Sequence, residues 1–385
     1  MGRWPGRIVL GLLAGAVLWP GLARAEIAVG AVLSLTGPAA SLGIPERNTI
    51  ELLPRTMAGE AVRWVVLDDA SDPAAAVRAA RKLVEEERVD VIFGPSNTPN
   101  SLAVLDTAAA SGTPIVSLSG SNAVIEPQEG AKRWAFKLTP SERVAADQVA
   151  DHMLARGQRT YAAIGFANSF GDGYIDAMAA AAAERGIKSL VQVRYNLADT
   201  GVAPQALRLL QSRPDAVWVA ASGTPGVAPV IELRGRGYGG AIYTTQGIAN
   251  PEALRVGGKA LDGTMFSAVP VLVAEQLPDG NPVKPQALAY VRAYEDKYGP
   301  GSRSLFGAIL WDAFLLADAG AQVALRDARP GTSEFRAKLR DAMENVRGLA
   351  GAQAVFSLSP TDHSGAEPRS QVLVVVRDGA YRLVQ

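Results

Sequence analysis

The chain has 385 residues, 48% hydrophobic and 20% charged, with 38 basic side chains balanced by 38 acidic ones. It carries no basic excess and no basic run, so a nucleic-acid partner is not expected. Cysteine is absent, which excludes disulfides, a zinc–thiolate centre, a cysteine nucleophile and lipid attachment to a cysteine beside a cleavage site.

Arg3 and Arg7 make a positive start, 8–18 is an uncharged apolar run, and Ala23-Arg24-Ala25 supplies a small-x-small pattern. This reads as a cleavable secretory signal over 1–25, leaving Glu26 as the new N-terminus. The run is well short of the ~20 residues that a spanning helix needs. No later segment reads as membrane-spanning, so the expectation is an unlipidated protein free in the periplasm. The remaining ~360 residues exceed one typical core and predict two domains.

Segments 27–33, 62–67, 89–93 and 114–118 are short, apolar and rich in β-branched residues, and each is followed by a stretch of helical character. The clearest helix is 73–88, where Pro73 suits a first turn and Val77, Ala80, Leu83 and Val84 recur at helical spacing. Apolar strands alternating with helices signal a parallel sheet covered on both faces. A second series follows, with strands at 161–166, 190–195, 215–221, 241–245 and 264–268. Helices near 141–156, 172–186, 203–212 and 225–236 separate them.

After residue 270 the order changes to helices at 286–298, 305–325 and 332–346, then strand-like 354–358 and 371–376. Helices with no strands between them must cover an earlier sheet. The prediction is an α/β protein of two doubly wound parallel-sheet lobes joined by three hinge crossovers, near 140, 270 and 348. The N-terminal lobe takes 26–140 plus 271–347, and the C-terminal lobe 141–270 plus 348–385.

Motifs for catalysis are thin. Gly235-Arg236-Gly237-Tyr238-Gly239-Gly240 matches G-x-G-x-x-G, but it follows a helix and precedes a strand. A dinucleotide site needs the reverse order, so this is a helix-to-strand turn and no cofactor is expected. The only histidines, His152 and His363, have no metal-ligand spacing. Asp68, Asp69 and Asp72 lack the glycine and terminal glutamate of a calcium loop, and read as a turn and a helix N-cap. No metal is expected.

Two polar loops end neighbouring strands where open α/β sheets take ligands. Ser96-Asn97-Thr98-Pro99 leads into a helix at Pro99, and Ser119-Gly120-Ser121-Asn122 leads into another. Hydroxyls and free N–H groups at a helix start make a carboxylate site without arginine. The plainer alternative is that Thr98 and Ser121 are N-caps.

At these loops the sequence resembles the Leu/Ile/Val-binding protein family, the type I periplasmic binding proteins of ABC transporters. The resemblance rests on 32–38 (VLSLTGP), 67–73 (LDDASDP), 91–95 (VIFGP), 114–117 (PIVS), Ser169-Phe170-Gly171 and 359–365 (SPTDHSG). It implies two α/β lobes with three crossovers. It also implies carboxylate contacts from Thr98, Ser119 and Ser121 around Gly120, a wall from Leu42 after Ser41, and an apolar lid contact from Phe170. Two departures stand out. Gln246 takes the place where amino-acid receptors carry an acid for the ammonium, with Asp172 the other acid within reach, and the helix after Gly43 is short.

The function these readings imply is a monomeric periplasmic receptor of an ABC importer. It is not an enzyme; it captures a small carboxylate solute (a branched-chain amino acid or a related organic or aromatic acid) and delivers it to the permease subunits. A periplasmic ligand-sensing module is the alternative, and an NAD-type enzyme is the alternative of another class.

Overall fold

The computed structural model describes Gly2 and residues 26–384; the expected signal peptide lies outside the described residues. In the first half the strands are β1 (Glu26–Leu33), β2 (Thr56–Met57), β3 (Glu60–Asp68), β4 (Val91–Phe93), β5 (Ile115–Ser117) and β6 (Ala135–Lys137). Between them lie α1 (Ala40–Ile50), α2 (Pro73–Glu85) and α3 (Thr98–Ser111). These strands form one sheet in the order β2-β3-β1-β4-β5-β6. All its pairs are parallel except the short β2–β3 hairpin.

The next segment runs α4 (Glu142–Ala155), β7 (Thr160–Phe166), α5 (Ser169–Glu184), β8 (Lys188–Tyr195), α6 (Ala203–Gln211) and β9 (Ala216–Ala220). It continues with α7 (Ala228–Gly235), β10 (Ala241–Thr244), α8 (Pro251–Gly257) and β11 (Met265–Ala268). Three helices follow, α9 (Lys284–Tyr298), α10 (Leu305–Ala324) and α11 (Ser333–Glu344). The chain ends with β12 (Leu349–Ala350), β13 (Val355–Phe356), β14 (Val372–Arg377) and β15 (Ala380–Leu383). The second sheet has the order β15-β14-β11-β10-β9-β7-β8, parallel except where β14 and β15 add an antiparallel edge.

Local chemistry explains the elements. Asp72 caps α2 by accepting from Ala75 N, Pro73 fills the first turn, and Ala76, Ala79, Ala80 and Leu83 are buried. Seven of the eight β1 residues are buried, as a central strand covered on both faces requires. Gly30 lets α2 come down on β1: a Cβ there would lie 2.7 Å from Leu83 Cδ1. Asp68 and Asp69 accept hydrogen bonds from Thr36, Ser34 and the turn backbone, so the acidic cluster is turn and cap. The glycine run after α7 is a turn into β10, fastened by Arg234 Nη1 donating to Tyr238 O and Gly240 O.

Three expectations need correction. The helix tied to Gly43 begins before it, at Ala40, because Gly43 lies flat on the end of β1, where a Cβ would meet Ser34 O at 2.2 Å. A later segment does have the length and hydropathy of a membrane span: α10, 67% of whose apolar window is buried in the protein. The expected strand 354–358 shrinks to β13, which pairs with β12 and not with the second sheet.

That last point moves the third crossing. The loop 351–353 holds Asp312 of α10, with Ala352 N and Gln353 N donating to its carboxylate. His363 stacks on Phe136 of β6 at 4.3 Å, with Nδ1 2.7 Å from Ala135 O and Nε2 2.9 Å from Glu344 Oε1. Residues 349–366 therefore stay on the first sheet, and the chain crosses between Ala366 and Val372, not near 348. The crossings lie side by side: Ser364 Oγ donates to Thr139 O, and Ser267 Oγ donates to Gln371 Oε1.

Candidate functional site

The C-terminal ends of the two sheets' strands face each other across a pocket lined from both lobes, where open α/β sheets take their ligands. From the first lobe, Leu42 stands on α1, Thr98 and Pro99 open α3, and Leu118 and Gly120 follow β5. From the second, Phe166, Asn168 and Phe170 span the turn from β7 into α5, Ser222 follows β9, and Gln246 follows β10. Leu305, Phe306 and Ile309, the first turns of α10, close an apolar side.

Of the residues predicted from sequence, Leu42, Thr98, Gly120, Phe170 and Gln246 all line this pocket. Thr98 is 1% exposed and its Oγ1 has no partner within the protein. Phe170 lies directly over Gly120, where a Cβ would come within 3.0 Å of Phe170 Cε2. Gln246 is buried, and its Oε1 accepts from Val269 N at 3.1 Å.

Ser119 and Ser121 are not among the lining residues, and their hydroxyls are engaged elsewhere. Ser119 Oγ is 2.9 Å from Ser117 Oγ, which joins Ser101 Oγ in a chain running into the first lobe. Ser121 Oγ caps the 3-10 turn Asn122–Val124 and donates to Glu142 Oε1 at 2.7 Å. Ser121, already donating to a carboxylate, is not free to donate to a second, whereas Thr98 Oγ1 on the same lobe is. Asp172 is also outside the pocket: it is half exposed and paired with Arg194 at 2.8 Å.

No lining residue is Asp, Glu, Lys, Arg or His. Charges stand one layer behind. Ser96 Oγ donates to the buried Glu46, whose pKa is pushed well above 4.5 by burial, with the nearby Asp69 charge adding to the rise. Lys137 is fully buried at the end of β6. Its Nζ donates to Thr139 O and Oγ1 at 2.9 and 3.0 Å and to Pro140 O at 3.3 Å, and burial lowers its pKa to about 8.

Sequence reasoning missed Asn168, Leu197, Ser222, Tyr174 and the α10 contribution. Asn168 had a readable signal, as an N-cap residue directly after the first strand of the second series. Its Oδ1 accepts from Phe170 N and Gly171 N. The α10 residues carry no motif; only the packing of α10 on α1 brings them to the pocket.

A family model for periplasmic binding proteins matches residues 26–380. An extracellular ligand-binding receptor from Rhodopseudomonas palustris HaA2 superposes with a TM-score of 0.90 at 37% identity, covering 94% of this chain and all of that one. A solute-binding protein of an ABC transporter from R. palustris, solved with benzoate, gives a TM-score of 0.79 at 19% identity, over 93% of this chain and 95% of its own. The Leu/Ile/Val-binding protein BraC3 of Rhizobium johnstonii is 23% identical over 263 residues, 66% of this chain and 71% of the relative. With all but the last strand of the folded region matched and two α/β lobes facing one pocket, the chain belongs to the periplasmic binding protein family and has its type I fold.

Proposed function

We propose that the protein is the periplasmic receptor of an ABC importer, binding a small, largely apolar carboxylate solute between its lobes and delivering it unchanged to the permease. The observation that carries this reading is the unpartnered, buried hydroxyl of Thr98 at the start of α3, in a pocket with apolar walls and no charged side chain. A helix N-terminus with a free hydroxyl favours an anion, and the apolar walls favour a hydrophobic body. The benzoate bound by one structural relative and the name of the Leu/Ile/Val-binding relatives are consistent with such a solute.

Contacts from both lobes favour a closed state, which the permease then reads. The protein works as an unlipidated monomer, exported by cleavage after Ala25, and mass spectrometry of the exported form should give Glu26 as the first residue. Thermal-shift screening against aliphatic and aromatic carboxylates tests the ligand class, because a ligand at ~100 times its Kd adds about 2.7 kcal/mol. Stabilisation by neutral or cationic solutes alone would overturn it.

A further inference from the structure

Two side-chain amides on the second lobe face the pocket, and the backbone fixes which end of each does so. Gln246 Oε1 is taken by Val269 N–H, and Asn168 Oδ1 by the N–H groups of Phe170 and Gly171. A backbone N–H can only donate, so the oxygens cannot be exchanged for the nitrogens. What remains free on each side chain is its NH2 group, and both residues line the pocket. Thr98 Oγ1 lies across from them, also without a partner. The other lining amide, Asn97, is used at both ends, donating to Ser34 Oγ and accepting from Asn100 N.

Resting on the carboxylate-receptor reading above, we infer that the solute carries an oxygen acceptor, and not an ammonium, beside its carboxylate: it is a 2-oxo acid with an apolar side chain. An ammonium has three donors and no acceptor. Placed against the NH2 groups of Gln246 and Asn168, it would set donor against donor, with no carboxylate among the lining residues to hold it. A plain carboxylic acid avoids that conflict but leaves both NH2 groups facing a hydrocarbon chain. A 2-oxo group offers a carbonyl oxygen with two lone pairs, enough for both donors. Discrimination of this kind, set by buried groups left unpaired, is stronger than discrimination by a methylene.

Isothermal titration calorimetry of the mature protein decides the matter with two matched sets. One is 4-methyl-2-oxopentanoate, leucine and 4-methylpentanoate; the other is phenylpyruvate, phenylalanine and 3-phenylpropanoate. The expected result, in at least one set, is an oxo acid bound at least tenfold more tightly than its amino acid and more tightly than the plain acid. Gln246→Glu keeps an oxygen for Val269 N–H, and Asn168→Asp keeps the α5 cap. Each should weaken the oxo acid at least tenfold, and Gln246→Glu should strengthen the amino acid, with melting curves confirming that both variants fold. An amino acid bound as tightly as its oxo acid, or plain and oxo acids bound alike and indifferent to both substitutions, overturns the inference and leaves the receptor reading standing. Failure of all six compounds to bind overturns both.

Discussion

Ser41 Oγ, in the first turn of α1, accepts a hydrogen bond from Thr224 N of the second lobe at 3.1 Å, tying the two lips of the cleft together. Beside it, Leu42 lies against Gly223. These contacts join the start of α1 to the loop after β9, and they exist only while the lobes are together.

Replacing Ser41 with Ala removes a bond of about 0.5–1.5 kcal/mol that belongs to the closed form alone. Ligand release should speed up roughly two- to tenfold, while the melting temperature of the unliganded protein barely moves. Stopped-flow displacement reads the first and calorimetry the second. An unchanged release rate would mean that the lips do not hold the closed state.

Gly223 has a φ of +63°, and a Cβ there would meet Leu42 Cδ1 at 2.7 Å and Ser41 Oγ at 2.8 Å. Gly223→Ala should therefore wedge the lips apart. The backbone there, φ +63° with ψ −165°, is a conformation essentially reserved for glycine and adds a stability cost of about 1–3 kcal/mol. Small-angle scattering should show a variant that stays extended with saturating ligand, whereas the parent contracts.

Thr98→Val and Ser121→Ala should separate two roles that look alike in sequence. Thr98→Val removes a hydroxyl available to an anionic ligand and should weaken binding by about 1.5–3 kcal/mol with little change in stability. Ser121→Ala removes a donor to Glu142 and should lower stability by a similar amount. If Ser121→Ala reduces affinity as much as Thr98→Val and leaves the melting temperature alone, the assignment of the two hydroxyls is reversed.

Glu46 predicts a pH dependence. Its folded pKa lies well above 4.5 because burial disfavours the charged form, so the native state keeps a proton that the unfolded chain gives up. The stability it contributes is full below about 4.5 and is lost as pH rises through the folded value. Glu46→Gln keeps the shape and the neutral state. Its stability relative to the parent should climb by up to about 1.4 kcal/mol per pH unit above about pH 4.5, until the folded value is passed. Urea titrations across that range test this, and a flat difference would show that Glu46 is ionised in the native protein.

The strands that sequence located best are those buried on both faces, such as β1, β7 and β9, because continuous apolar runs leave few other options. β6 went unseen: it is three residues long and ends in Lys137, a side chain that counts against burial until its four oxygen partners are known. At the site, Thr98 was legible as a polar residue in a loop at a strand end, and Gln246 only through the family resemblance. Ser119 and Ser121 were equally polar and equally placed, but what their hydroxyls bond depends on Ser117 and on Glu142, and the latter belongs to a helix of the other lobe. That partnership is tertiary and leaves no trace in spacing.

Glu142 starts α4, five residues past the end of β6, and it accepts from Ser121 Oγ and Asn122 N beside the crossings. β1 is three strand spacings from β6 in the first sheet, a lever of about 14 Å. A swing about the Glu142 side would barely disturb Gly120 and Thr139 but would lift Leu42 clear of Gly223. The doorway is then the Leu42 edge.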